Sequence, residues 1–216
     1  MFKNQLLSAV LIFCCALLQA VPARADMYQR CVTLSEQDPD AAFDLALEWE
    51  ASDLTGGAFH CAGLALTALG LFDAAAERFQ QAAHHGQNMN DVQRAMLYQQ
   101  SGEAWLLAGR GDEAVAAFSQ ALGFAPQDPS YLYGRARGLE LIEKPDEALV
   151  DVNAAITFDP TNSLPYLLRA RLQRQVGQLH EAARDIETAI AMGIDMVPAQ
   201  LERGLIRFEQ DDSEGA

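Results

Sequence analysis

The sequence has little positive charge. Its 216 residues include only 15 lysine and arginine residues against 30 aspartate and glutamate residues, which gives a formal net charge of −15. Polyanions are repelled on average by a protein of this composition, which argues against nucleic-acid binding and against binding to an anionic membrane surface. Anion binding would require a local cluster of basic residues.

Common catalytic motifs are also missing. The sequence has no phosphate-binding glycine loop, no nucleophile elbow and no His-Glu-x-x-His motif. Adjacent residues on a helix diverge by about 100°, so neither His84 and His85 nor His60 and Cys61 can act on one ligand. We therefore expect that the protein is not an enzyme and that it has no metal site and no cofactor. Loop positions or polar contacts at the ends of the fold are expected for the histidines, which are His60, His84, His85 and His180.

Long apolar runs are absent except at the N-terminus. Lys3 is followed by a mostly apolar segment from Leu6 to Leu18, and residues 23–25 read Ala-Arg-Ala. A charged start, a short apolar run and a small-x-small exit are typical of a secretory signal peptide. We predict cleavage after Ala25 and, for a bacterial signal peptide, a periplasmic mature protein. An uncleaved membrane anchor is the alternative, although the run is short for a membrane span.

Cysteine is scarce. The sequence has four cysteines, and Cys14 and Cys15 lie in the predicted signal peptide, which leaves Cys31 and Cys61. In an oxidising compartment, pairing is the simplest use of two cysteines. A disulfide between them would stabilise the fold by roughly 3–4 kcal/mol in the loop-entropy model. Two free thiols are the alternative.

What the sequence does contain is a repeat with a period of 34 residues. Small residues follow this step in several series, which are Gly102, Ala136, Ala170 and Gly204; Ala114, Ala148 and Ala182; and Ala121, Ala155 and Ala189. The segments between them are short and apolar at helical spacing, and none shows sustained strand alternation. A period of this length is typical of a solenoid, in which each unit buries its apolar face against its neighbours.

The best-formed unit spans residues 95–128. Its characteristic residues are Tyr98, Gly102, Trp105, Gly109, Asp112, Glu113, Ala114, Phe118, Ala121 and Pro126. They resemble the tetratricopeptide repeat, a helix–turn–helix unit, at nearly every signature position. Other copies cover residues 56–83, 129–162 and 163–196, and five extra residues follow the first copy near residues 85–90. The resemblance implies an all-α, right-handed solenoid whose first helices line a concave groove, and a role in binding proteins or extended peptides.

The flanking segments complete the predicted domain organisation. Residues 26–55 are predicted to form two capping helices, one at 27–36 and one that begins at Pro39 and ends near residue 51. The array then covers residues 56–209, with four repeats and a terminal helix that lacks a partner. Residues 210–216 are predicted to form a disordered acidic tail.

Arginine recurs with the repeat at positions 135, 169 and 203. Asp151 and Asp185 lie 16 residues after Arg135 and Arg169, whereas the unit with Ser101 has Ala117 at the matching position. Since the arginine and the aspartate are lost together, we interpret them as a structural ion pair between packed helices. Arg203 has no second helix of its own and is expected to be available for another role.

A second basic cluster lies two residues further along. The resemblance implies that Arg137 and Arg171 line the concave groove, and Arg174 shares the same side of its helix. Tyr133 and Leu167 each precede an arginine of this cluster by four residues. These five residues are the predicted partner-binding site, because guanidinium groups bind carboxylates in bidentate geometry, whether in acidic peptides or at the C-terminus of a polypeptide. The alternative is a solvated helix face balanced by Glu140 and its acidic neighbours.

The sequence therefore predicts an exported scaffold or adaptor that binds a protein or extended peptide in the groove. Two alternatives remain open. The unpaired terminal helix, with Leu201, Leu205, Ile206 and Phe208, is a candidate surface for self-association of a structural subunit in envelope biogenesis. A small-molecule binder or an enzyme that uses the Cys31–Cys61 end is the other alternative.

Overall fold

In the computed structural model, the described residues are 24–52, 56–87, 89–194 and 196–214, and these contain eleven helices and no strand. The helices in order along the sequence are α1 (Arg24–Gln37), α2 (Pro39–Ser52), α3 (Gly56–Ala68), α4 (Phe72–His85), α5 (Asp91–Leu107), α6 (Gly111–Phe124), α7 (Pro129–Leu141), α8 (Pro145–Phe158), α9 (Ser163–Gln175), α10 (Leu179–Ala191) and α11 (Met196–Glu214). Each helix packs against the next one. The all-α solenoid is therefore confirmed. Most of the predicted signal peptide lies outside the described residues.

Four helix pairs correspond to the four repeats, and α11 follows without a second helix of its own among the described residues. The pairs are α3–α4, α5–α6, α7–α8 and α9–α10, and the first helices of neighbouring units also contact one another. Small residues allow the two helices of a pair to pack closely. A Cβ atom at Gly102 would lie 2.7 Å from the ring of Phe118, and one at Gly63 would lie 2.6 Å from the ring of Phe79. In each of these two units, a larger side chain in place of the glycine would force the two helices apart.

The N-terminal pair closely matches the prediction. Helix α2 begins at Pro39, where the missing N–H costs nothing, and the Asp38 carboxylate accepts a hydrogen bond from the backbone N–H of Ala41 at 3.1 Å. Both α1 and α2 pack against α3. Cys31 on α1 and Cys61 on α3 are fully buried there, with their Cα atoms 5.8 Å apart.

The five extra residues form the loop between α4 and α5. Asn90 and Gln93 form a reciprocal capping box that begins α5. The Arg94 guanidinium donates to the backbone carbonyls of Ala83 and Gly86, so it caps the end of α4. Met89 of this loop packs against the backbone of Gly86. The described residues on both sides of this departure from the 34-residue step therefore contact the ends of α4 and α5.

The C-terminal prediction requires a correction. Helix α11 continues through Glu214, so residues 210–214 are helical and the expectation of a disordered tail is wrong for them. Contacts beyond residue 208 explain the extension, because Glu209 binds Arg174 and the Gln210 side chain donates to the backbone carbonyl of Leu179. These contacts hold the helix against α9 and α10 as its acidic end begins.

Candidate functional site

The predicted partner-binding residues lie on the surface formed by the first helices α3, α5, α7, α9 and α11, which we call the inner face. Tyr133 and Arg137 lie on α7, and Leu167, Arg171 and Arg174 lie on α9. The guanidinium carbon of Arg137 is 5.7 Å from the centre of the Tyr133 ring, a cation–π contact. Burial raises the pKa of Tyr133, so its hydroxyl is neutral at physiological pH.

Each of the two central arginines binds a glutamate on the preceding first helix. Arg137 donates through Nη1 to Glu103 on α5 at 2.8 Å, and Arg171 donates through Nη2 to Glu140 on α7 at 3.1 Å. These contacts match the predicted alternative of a charge-balanced helix face. They also link three successive units on the inner face, and each arginine makes only one of these bonds.

Arg174 is more fully engaged than the other two. It donates through Nε to Glu202 at 2.6 Å and through Nη1 to Glu209 at 2.8 Å, both on α11. The Arg174 side chain is 21% exposed, whereas those of Arg137 and Arg171 are 32% and 40% exposed. Arg174 therefore holds the terminal helix in place, and Arg171 is the most exposed of the three predicted arginines, with donors left for a ligand.

Burial and the neighbouring arginines have opposing effects on the pKa of Glu140. Burial raises the pKa of its carboxyl and nearby Glu202 adds to this, against the lowering effects of Arg171 and Arg137. A carboxylate with a raised pKa is held less favourably as an anion than one in water. Burial therefore opposes the charged form of Glu140, and Arg171 and Arg137 favour it.

The other arginine series forms the predicted structural pairs. Arg135 binds both carboxylate oxygens of Asp151 at 2.7 and 2.8 Å, and Arg169 binds those of Asp185 at 2.6 and 2.8 Å. Both aspartates are buried. The prediction of an Arg–Asp bridge between the two helices of a unit is confirmed.

Arg203 was expected to be available for another role, but neighbouring side chains bind it. Its guanidinium contacts Glu187 on α10 at 3.5 Å and Gln200 on its own helix. Arg135 and Arg169 reach back by the same 16 residues, to Ser119 and Asn153. The prediction was wrong because it considered only a partner 16 residues later, whereas each arginine of this series also contacts the second helix of the preceding unit.

His60 is the residue that sequence reasoning missed. It lies within α3, in the first repeat, and not in a loop, and its polar contacts at this end of the array bridge α1 and α5. The Tyr28 hydroxyl is 2.8 Å from Nδ1, and Gln100 Oε1 is 2.9 Å from Nε2. Because a carbonyl oxygen only accepts, Nε2 carries the proton and the Tyr28 hydroxyl donates to Nδ1. Burial lowers the pKa of His60, against the raising effect of its bond to Gln100, so the neutral ring is favoured.

The position of His60 in the repeat already indicated that it lies on the inner face. His60 lies three positions before Gly63, and Tyr133 and Leu167 lie three positions before the matching alanines of later units. The residue thus occupies the same inner-face position as two residues of the predicted site. His84 and His85 lie in the last turn of α4.

Two adjacent cavities open between α3 and α5. One, of about 330 Å³, is lined by Tyr28, His60 and Met89 among others, and the second, of about 310 Å³, reaches Leu64 and Phe79. Met96 and Gln100 lie between them and line both. The loop that carries Met89 contributes one wall, so the five-residue insertion shapes this end of the inner face.

Neither a membrane span nor a metal cluster occurs among the described residues. None of the helices there is long and apolar enough to cross a membrane. In the same part of the protein, no three histidine, cysteine, aspartate or glutamate side chains are grouped in a way that could hold a metal ion.

Comparison with known sequences supports the resemblance to tetratricopeptide repeat proteins. No family model matches the sequence. It is 32% identical over 118 residues to human Tetratricopeptide repeat protein 13, which is 50% of this chain and 13% of that protein. It is 30% identical over 87 residues to TPR repeat-containing thioredoxin TDX of Arabidopsis thaliana, which is 40% of this chain and 23% of that protein. The matched region spans less than a quarter of the length of these relatives.

Solved structures share the fold over a larger part of the sequence. MamA 41-end from Desulfovibrio magneticus RS-1 matches with a TM-score of 0.68 at 16% identity, over 80% of this chain and 97% of that one. YrrB, described as a TPR protein with an unusual peptide-binding site, gives a TM-score of 0.68 at 16% identity, over 82% and 90%. The first TPR of Spaghetti (RPAP3), bound to the HSP90 peptide SRMEEVD, gives 0.54 at 22% identity, over 56% and 99%. The protein therefore has a TPR-like solenoid fold.

Proposed function

We propose that the protein is an exported, non-enzymatic scaffold or adaptor that binds a protein or an extended peptide on its inner face. Tyr133, Arg137, Leu167, Arg171 and Arg174 are the proposed contact residues, and a carboxylate of the partner is the proposed ligand of the arginines. The partly exposed Arg171 guanidinium, which makes a single hydrogen bond to Glu140, is the observation that carries this proposal. Peptide binding by YrrB and RPAP3 on the same fold supports it.

Export and the disulfide belong to the same proposal. Residues 1–25 would be removed on secretion to the periplasm, and Cys31 and Cys61 would be joined in that oxidising compartment. The 5.8 Å separation of their Cα atoms suits a disulfide. Intact mass of the protein from a periplasmic fraction, with thiols alkylated before and after reduction, tests both points. A retained N-terminus, or two thiols that react without reduction, would contradict them.

The binding proposal can be tested with a random peptide library displayed with free carboxyl termini. Selected peptides are then measured against Arg137→Gln/Arg171→Gln, in which glutamine avoids adding carboxylates beside Glu103 and Glu140. We expect affinity to fall at least about tenfold, the effect of losing a charge-assisted hydrogen bond. Arg110→Gln/Arg184→Gln is the matched control, since both side chains are more than half exposed and lie on second helices or turns.

A gain of affinity provides the opposite test. Glu140→Gln removes the carboxylate that occupies Arg171, so a ligand carboxylate would no longer compete with it. Selected peptides should bind this variant several-fold more tightly than the parent protein. Unchanged binding in both Glu140→Gln and the double arginine variant, with helicity intact by circular dichroism, would refute a role for these arginines.

Self-association through the terminal helix is the alternative, and exposed apolar residues favour it. On α11, Leu201 and Phe208 are 67% and 66% exposed, and Leu205 between them is 38% exposed. Packing of this stripe against a second copy would bury it. Sedimentation equilibrium of Leu201→Ser/Phe208→Ser, with Leu71→Ser/Val150→Ser as an exposed apolar control, tests this. A monomer at all concentrations in the parent protein would exclude this alternative.

A further inference from the structure

We propose that the two cavities between α3 and α5 are subsites for the side chains of an extended, uncharged peptide segment with apolar residues at alternate positions. This inference rests on the proposed function, because it assigns the partner chemistry of the same inner face. It concerns a different part of that face from the arginines. The helix pair that carries it is α3 and α5, joined by the bond between His60 and Gln100.

The lining of the cavities determines what can enter them. Met89, Met96 and Leu64 provide apolar surface, and methionine side chains adapt to the shape of an apolar group. Of the described residues that line the cavities, only Glu103 is charged, and its carboxylate is bound by Arg137. A charged group placed here would lose water without gaining a counter-ion, which is costly, so charge complementarity selects a neutral segment.

The polar groups of the cavities fix the peptide backbone. Gln100 lines both cavities, and its Oε1 is occupied by His60 Nε2–H. Its amide nitrogen makes no hydrogen bond to another described residue, so two N–H donors remain for a ligand. The Tyr28 hydroxyl fixes the His60 ring from the other side. This series of bonds positions a donor between two apolar cavities, where a peptide carbonyl is the matching acceptor.

An extended strand fits this arrangement better than a helix. Along an extended peptide, residues i and i+2 lie on the same side about 6–7 Å apart, with backbone carbonyls between them. Two adjoining cavities that share Met96 and Gln100 as a common wall present the same alternation of apolar, polar and apolar groups. A helix buries its own carbonyls in internal bonds and would leave the Gln100 donors without an acceptor.

The same displayed peptide library provides the probe. The purified protein carries ¹³C-methyl methionine, and each selected peptide is titrated while the methyl signals are followed. Met89 and Met96 report on the cavities, and Met192, in the turn after α10, is an internal control. Affinities are measured for Met96→Glu, Met96→Leu and Val150→Glu. Met96 and Val150 are 53% and 69% exposed, so each glutamate is tolerated by the fold.

We expect selected peptides to carry apolar residues at two alternate positions and to shift the Met89 and Met96 signals, with Met192 unmoved. Met96→Glu should lower affinity at least about tenfold, the effect of losing the burial of one apolar side chain, while Met96→Leu and Val150→Glu stay within about twofold. Peptides that depend on Arg171 but leave Met89 and Met96 unshifted, or that have apolar residues at helical spacing, would overturn this inference and leave the proposed function intact. A library that yields no binder would overturn both.

Discussion

The inner face has two regions of different chemistry. Between α3 and α5 it is mostly uncharged and contains Met89 and Met96, and His60 and Gln100 form a hydrogen bond across it. From α7 to α11 it carries ion pairs between arginine and glutamate, such as Arg171 with Glu140. The small residues that pack the helices recur through both regions, so the repeat determines the fold while the positions between them are free to differ. In the proposed function, a partner would contact apolar groups at one end of the inner face and charged groups at the other.

Phe118 joins the two regions, and removing it should have the largest effect. Its side chain is fully buried between α5 and α7, where it packs against both Gly102 and Gly134. Phe118→Ala should lower the free energy of unfolding by about 3–5 kcal/mol, because the cavity would lie at the junction of two units. Urea denaturation measures the change. Phe124→Ala is the control, since that ring is 37% exposed, and equal losses in the two variants would contradict a special role for the junction.

Substitution of Arg174 tests how much the charged region alone contributes to stability. Arg174→Ala would leave Glu202 buried without its cation, and we expect a loss of about 2 kcal/mol in the free energy of unfolding, less than for a fully buried pair because Arg174 is partly exposed. Adding Glu202→Gln should recover part of that loss. Arg184→Ala removes an exposed arginine and should change stability by less than about 0.5 kcal/mol. A double variant no more stable than Arg174→Ala would show that the buried charge is not the cause.

The sequence predicted the partners of one ion-pair system, whereas for the other it offered only a general charge balance by Glu140 and its acidic neighbours. The Arg135–Asp151 pair recurs with the 34-residue step, and both of its residues are replaced together in another unit. This joint presence or absence made the pair predictable. The Arg171–Glu140 pair joins neighbouring units at a separation of 31 residues, and Arg174 reaches Glu202 over 28. Such contacts depend on how far helices are offset along the solenoid, which the repeat alone does not specify.

The neutral region was harder to predict for a similar reason. His60 was assigned from its neighbours in sequence, although its repeat position is equivalent to that of Tyr133. The helix bounds, the capping pair and the packing glycines were predictable because each depends on local residue type. One of the two cavities is lined by Met89, which an insertion outside the repeat brings to the inner face.

His60 makes the stability of the neutral region sensitive to pH. Tyr28, Gln100 and Phe79 face the ring from α1, α5 and α4, and none of them is a carboxylate. Burial lowers the pKa of His60 below its ordinary value of 6.5, so the unfolded state binds a proton more readily. Stability should therefore be full above pH 6.5 and decrease as the pH falls through the lower pKa of the folded state.

The measurement compares urea denaturation at several pH values for the parent protein and for His60→Gln. Glutamine retains a donor and an acceptor but does not titrate, so the difference between the two curves isolates the histidine. We expect the parent to lose more stability than His60→Gln below pH 6.5. Parallel curves would show that protonation of His60 is not coupled to folding.

The smallest expected effect concerns the turn within the charged region. Gly70, Gly109 and Gly177 end the first helices of their units with φ near +75°, and Glu143 holds the same place in the third unit with φ of 58°. A non-glycine residue in this conformation costs about 1 kcal/mol, but glycine gains more entropy on unfolding, so Glu143→Gly should stabilise the protein by only about 0.5 kcal/mol. Differential scanning calorimetry measures the shift, and Gly109→Ala, which introduces the same strain in the second unit, should lower stability. If both variants were neutral, the turn would tolerate any residue, and the glycine recurrence in the other units would need another cause.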